Sequence, residues 1–144
     1  WNFYIEKINL EYAERSARDP NYLNDHTTLI EFARGGENGF GEAFSYLSDE
    51  ILKHAVIVYI RVSYAESVRK NHKRKRVGEE GSILHHSLPD AKMEFYYRAN
   101  DWDKISGGEN SGWLEIKGQR VPFAVFENDP ENGALSNLAS RKNP

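Results

Sequence analysis

Residues Ala55-Val56-Ile57-Val58-Tyr59-Ile60-Arg61-Val62 are almost continuously apolar, and Ser63-Tyr64-Ala65-Glu66 follows without a gap. An apolar run of this length, rich in β-branched residues, predicts a strand covered on both faces, as in a parallel sheet with helices on each side. A Ser with a Glu three positions later is a capping box, so a helix is expected to start where the strand stops. A strand passing directly into a helix is the repeating unit of α/β proteins, and it narrows the fold more than any other feature of the chain.

The flanking sequence supplies the other elements. Trp1, Tyr4, Ile5, Ile8 and Tyr12 recur at helical spacing, and Asp19-Pro20 ends the helix they predict, because proline drives its predecessor out of the helical region. Asn21 to His26 reads as a turn, and Thr27 to Ala33, β-branched and apolar, reads as a strand. The glycine-rich stretch Arg34 to Gly41 follows, then a short helix from Glu42 to Leu47 and a second one begun by Ser48 as N-cap. Ser87-Leu88-Pro89-Asp90 predicts a helix running through Met93 to about Arg98. Trp113 to Lys117 and Arg120 to Phe126 flank Gly118-Gln119 and predict a hairpin, with Pro122 placing the second run at an edge or a strand start. Asn128 to Gly133 is a turn cluster, and residues 140–144 are expected to fray. The chain has 144 residues and shows no internal repeat or low-complexity tract, so residues 1–144 read as a single α/β domain.

Composition removes whole classes of chemistry. The absence of Cys excludes disulfides, thiolate nucleophiles and Cys-ligated metals. The longest apolar run falls far short of the ~20 residues of a membrane span, and no signal-peptide pattern opens the chain, so a cytoplasmic protein without a membrane partner is expected. The net charge is −3, yet Arg69 to Arg76 carries six positive charges and no acid. The basic segment is thus a local feature of an otherwise acidic chain.

Four sets of residues are candidates for chemistry. Glu31 and Arg34 lie at the end of the expected strand over 27–33, where open α/β sheets bind ligands; a carboxylate there can accept a hydroxyl proton or hold Mg²⁺ through water. The alternative is an edge strand with Glu31 in solvent or in an ion pair. Gly35, Gly36, Gly39 and Gly41 could present backbone N–H groups to phosphate, but the loop lacks the G-x-x-x-x-G-K-[ST] pattern of a Walker A motif and also fits a plain turn. Arg69, Lys73 and Arg76 share a helix face. They could clamp transferring phosphates as part of a lid, bind a nucleic-acid backbone, or form a solvated helix face. No aromatic residue interleaves them, which argues against stacking on single strands. His85-His86, with Glu79 and Glu80 nearby, has the wrong spacing for a shared metal. Trp1, Trp102 and Trp113 read as packing anchors, and no G-x-S-x-G marks a serine nucleophile.

Three stretches together resemble the second half of a P-loop kinase of the nucleoside/nucleotide-kinase type. Leu29-Ile30-Glu31-Phe32-Ala33-Arg34-Gly35-Gly36 is similar to the strand ending in the acid that serves as base for the acceptor hydroxyl. Val58 to Asn71 is similar to the next strand and the helix whose Arg residues lead into the lid. Val121 to Asn128 is similar to the last core strand with its terminal Asn. The resemblance covers about 100 residues and implies a three-layer α/β/α fold with a mostly parallel sheet and, here, a C-terminal hairpin. It implies catalytic roles for Glu31, Arg69, Lys73 and Arg76, and acceptor contacts from Arg34, Gly35 and Gly36. The strand and Walker A loop that open this family are not among the matched residues. Trp1 begins the chain and Met93 is its only Met, so a processed or partial chain is expected, inactive alone. ATP and Mg²⁺ are then expected only with the P-loop segment. A nucleotide or small phosphorylated ligand is the expected partner, and a second copy or another chain could complete the sheet.

Overall fold

The computed structural model describes residues 2–74 and 87–129. In chain order the elements are α1 (Asn2–Arg18), α2 (Tyr22–Asp25), α3 (Gly39–Tyr46), α4 (Asp49–His54), β1 (Ile57–Arg61), α5 (Tyr64–Arg74), α6 (Asp90–Tyr97), α7 (Trp102–Ser106), β2 (Ser111–Ile116) and β3 (Gln119–Glu127). The strands form one mixed sheet in the order β1-β3-β2. β1 runs parallel to β3 from Ile57↔Phe123 to Arg61↔Glu127, and β2 is antiparallel to β3. The protein is therefore a mixed helix/strand fold, with one parallel and one antiparallel strand pairing among the described residues.

Alternation decides which face of the sheet is covered. Ile57, Tyr59, Val121, Phe123, Val125, Leu114 and Ile116 point to a core completed by Ile5 and Tyr12 of α1, Ala43 and Phe44 of α3, Leu47, Ile51 and Leu52 at α4, and Trp102 of α7. Trp102 and Val121 are fully enclosed, and each such side chain contributes roughly 1.5–3 kcal/mol through removal from water. Trp102 stacks on Tyr59 at 4.2 Å and meets Phe40 and Phe123 edge to face. Burial in this cluster raises the Tyr59 phenol above its ordinary value, opposed by a hydrogen bond from Asn100. The opposite face of the sheet is bare: Val58 is 63% exposed and Ile60 55%, with Phe126 and Trp113 in the neighbouring rows. Among the described residues, β1 within the apolar run over 55–62 is thus an edge strand with one covered face.

Local chemistry explains where the elements begin and end. Ser48 Oγ accepts from the Ile51 amide and starts α4. The hairpin turn is Lys117-Gly118, one residue earlier than expected, with both residues at positive φ, as a two-residue turn between twisted strands requires. Lys117 is held in this unusual conformation by its ammonium, which reaches the Leu47 carbonyl at 3.0 Å and Asp49 Oδ1 at 2.6 Å. Pro122 proves to lie in the central strand. Its tolerance follows from register, since β1 pairs with β3 only from Phe123 onward. Residues 27–33, expected as a strand, form none. They carry no regular secondary structure and no backbone hydrogen bond among the described residues.

Candidate functional site

The start of α5 gathers most of the charged chemistry at the C-terminal ends of the parallel strands. Ser63 Oγ accepts from the Glu66 amide at 3.2 Å, which is half of the expected capping box. The other half is replaced: the Ser63 amide donates to Asp129 Oδ2 at 3.0 Å. Glu66 is thereby released from the helix end. Its carboxylate, whose side chain is only 6% exposed, accepts from Arg69 Nε at 2.5 Å and Arg69 Nη2 at 2.7 Å. Lys70 Nζ stands 3.5 Å from the same carboxylate and donates to the Asn128 carbonyl at 3.0 Å. The Arg69 hydrogen bonds, assisted by the charges of Arg69 and Lys70, hold the Glu66 carboxyl below the ordinary carboxylate value, and Glu66 raises Arg69 in turn. Lys73 and Arg74 are exposed, with no ion pair among the described residues. Arg76, like His85 and His86, lies outside the described residues.

Below this cluster, Arg61 ties the strand ends together. It donates to Asn110 at 3.0 Å and pairs with Glu127 at 2.5 Å and Asp103 at 3.5 Å. Asn71 is buried in α5 and exchanges two 2.8 Å bonds with the backbone of Leu88, while His72 Nε2 meets Asp90 Oδ1 at 2.7 Å. These contacts fasten α6 to α5.

Glu31 and Arg34 lie elsewhere. Together with Tyr4, Ile5, Lys7, Ile8 and Glu11 of α1 and with Phe32, they line a cleft of about 320 Å³. Its floor is apolar and its rim carries two cations and two carboxylates. Arg34 also borders a wider groove of about 600 Å³ that Gly35, Gly36, Phe95 and Tyr96 line. Gly35 is a spacer: a Cβ there would overlap the Tyr96 carbonyl at the end of α6. The Gly36 amide donates to the Ala99 carbonyl at 2.9 Å, and Arg34 Nε donates to the Gly39 carbonyl at 3.2 Å.

The glycine loop does not offer the opening N–H groups of α3 to a ligand. Phe40 and Gly41 amides both donate to Asp101, at 2.8 Å each. Asp101 is 4% exposed and comes from 60 residues away; a buried carboxylate capping a helix start in this way contributes about 1–2 kcal/mol. Asp101 and Glu66 are the residues that sequence reasoning did not single out for these roles. Glu66 was visible as a capping residue, whereas nothing local marked Asp101.

The structure therefore brings Glu31, Arg34, Gly35 and Gly36 together on one side, and Arg69 and Lys73 on another. α6 connects the two sets, packing on Gly35 at its end and bonding to Asn71 and His72 near its start. Among the described residues, no group of three His, Cys, Asp or Glu is placed to bind a metal, and no helix is long and apolar enough to cross a membrane. Trp113 is 56% exposed under the Arg120 guanidinium, 5.0 Å from its ring centroid. Comparison with protein-family models, with curated proteins and with solved structures finds no match.

Proposed function

We propose that the chain is the acceptor- and lid-bearing part of a kinase-like phosphotransferase acting on a small hydroxylated or nucleotide-like acceptor. The observation that carries this reading is the outer edge of β1 on the side of residues 29–33. β1 ends the sheet, so its outer edge has no strand partner among the described residues. Residues 29–33 alternate strictly between exposed and half-buried, as a strand does, yet make no backbone hydrogen bond among the described residues. Phe32 from that segment and Tyr59 from β1 both meet Phe40, at 6.4 and 5.7 Å between ring centroids. Both rings thus pack on Phe40, which keeps residues 29–33 on the β1 side of the core. A strand entering there, followed by a phosphate-binding loop, would pair with both edges and make the sheet mostly parallel. Helices on its bare face would then give the three-layer architecture.

In that assembly Glu31 is the acceptor base or the carboxylate on the Mg²⁺ side, and Arg34 orients the acceptor. Arg69 and Lys73, with Arg76, face the donor phosphates and offset charge as it develops. Mg²⁺ bound to a nucleotide takes most of its ligands from phosphate and water and needs only one or two carboxylates, which Glu31 can supply. ATP and Mg²⁺ belong to this reading only together with the loop-bearing strand.

The intact mass of the protein from its natural source, read with the coding sequence upstream of Trp1, tests the proposal. The expected result is a strand and G-x-x-x-x-G-K-[ST] in the same polypeptide or in an obligate partner; its absence from both overturns phosphoryl transfer. Glu31→Gln in that complete assembly is expected to lower kcat by about 10²- to 10⁴-fold, the usual contribution of a positioned base. If the basic helix instead serves nucleic acid, long RNA binds tightly with a steep salt dependence while mononucleotides do not saturate it.

A further inference from the structure

We propose that Glu66 is a positioning residue: it grips one edge of the Arg69 guanidinium so that the other edge is preset to receive the terminal phosphate of a polyphosphate chain. This rests on reading α5 as phosphate-facing and adds to it a residue that the resemblance does not assign.

Three features support the assignment. Glu66 occupies the capping-box position, where its carboxylate would ordinarily turn back to the Ser63 amide, but Asp129 takes that amide and leaves Glu66 for Arg69. The grip is bidentate, at 2.5 and 2.7 Å, and the carboxylate making it is almost fully enclosed. The Arg69 side chain is 57% exposed, so the pair is buried on the carboxylate side and open on the cation side.

A guanidinium has five N–H groups in a rigid plane. Glu66 uses one on Nε and one on Nη2, which leaves three directed away from it. An arginine already held in one rotamer loses less freedom when an anion docks, and planar donors suit phosphate oxygens. Lys70 stiffens the unit, since its ammonium spans Glu66 and the Asn128 carbonyl. Lys73 stands one turn beyond Arg69 on the same face of the helix, where it can meet the next phosphate of the chain. Hydrogen bonding from Arg69 holds the Glu66 carboxyl below its ordinary value, so protonation does not release the grip at neutral pH.

Inorganic tripolyphosphate binding to the 144-residue chain, followed by calorimetry at low and physiological salt, tests the proposal through the sign of one change. Glu66→Gln makes α5 more positive by one charge. If Glu66 only neutralises Arg69, the variant binds tripolyphosphate more tightly. If Glu66 positions Arg69, the variant binds about tenfold more weakly despite the added charge. Glu66→Asp, which keeps the charge but shortens the reach, is expected to weaken binding in the same direction and serves if Glu66→Gln does not fold. In an Arg69→Lys background, where no bidentate grip exists, Glu66→Gln should no longer weaken binding. Equal or tighter binding by Glu66→Gln, or by Glu66→Asp in its place, overturns the positioning role and leaves the phosphate-facing reading of α5 standing. A wild-type chain that does not bind tripolyphosphate overturns both.

Discussion

Glu66 shows how much a single side chain depends on its neighbours. By type and position it is a helix cap, and the sequence marks it as one. In the structure it is an enclosed anion shared by two cations, because Asp129, far away in the chain, has taken its amide. This has a consequence for pH. Arg69 lowers the Glu66 carboxyl in the folded state relative to its ordinary value near 4.5. The folded chain then binds the proton less readily than the unfolded chain, and the stabilisation is fully present above about 4.5. It is lost as pH falls through the lowered folded value. Urea unfolding should show wild type more stable than Glu66→Gln at pH 7, with the gap closing as the pH is taken below 4. A gap independent of pH would assign the difference to packing.

Between elements, the contacts that matter are few and specific. α6 joins the Gly35 loop to α5, and its attachment to α5 rests largely on Asn71 and His72. Asn71→Ala removes two hydrogen bonds and leaves the Leu88 amide without its partner, so a loss of about 1–3 kcal/mol is expected. Hydrogen exchange should report faster opening at Leu88 and through α6, with the β2–β3 hairpin unchanged. Four helices were readable in the chain because their signals are local: Ser48 before α4, Ser63 before α5, Pro89 before α6 and Pro20 after α1; the short α2, expected as a turn over 21–26, and α7 carry no such signal. The hairpin was readable from its glycine, although its turn fell one residue early because Lys117 is tied to Leu47 and Asp49. The segment over 27–33 misled for the opposite reason. It has the residue types and the alternation of a strand, but a strand is completed by a neighbour, and no local signal tells whether the neighbour is present. Asp101 was invisible on the same grounds, since it caps a helix from 60 residues away.

For the molecule as a whole, one face of the sheet packs into the core and the other is exposed among the described residues. Val58, Ile60, Phe126 and Trp113 form an exposed apolar patch beside the β1 edge, which has no strand partner among the described residues, a combination that marks interaction surfaces. The 144-residue chain should bind the dye ANS under native conditions. Ile60→Lys should lower that fluorescence while moving unfolding stability by no more than about 0.5 kcal/mol, as for other exposed positions. A large loss of stability would instead show Ile60 to be packed. The placement of Glu31 and Arg34 in a cleft against α1 could not be read from the chain, because it depends on how a long helix packs on a segment distant in sequence.

The order of the strands also sets a timetable. β2 and β3 are joined by two residues, and such a hairpin closes in about 1–10 μs. β1 reaches β3 only across a separation of 66 residues, so its docking bears a far larger loop-closure entropy and falls late in folding. Destabilising substitutions at Val121 or Leu114 should therefore slow refolding in stopped-flow experiments, whereas those at Ile57 should chiefly accelerate unfolding. Until β1 docks, a refolding chain would hold a formed hairpin with a vacant parallel edge, the state in which strands from other molecules compete for the same place.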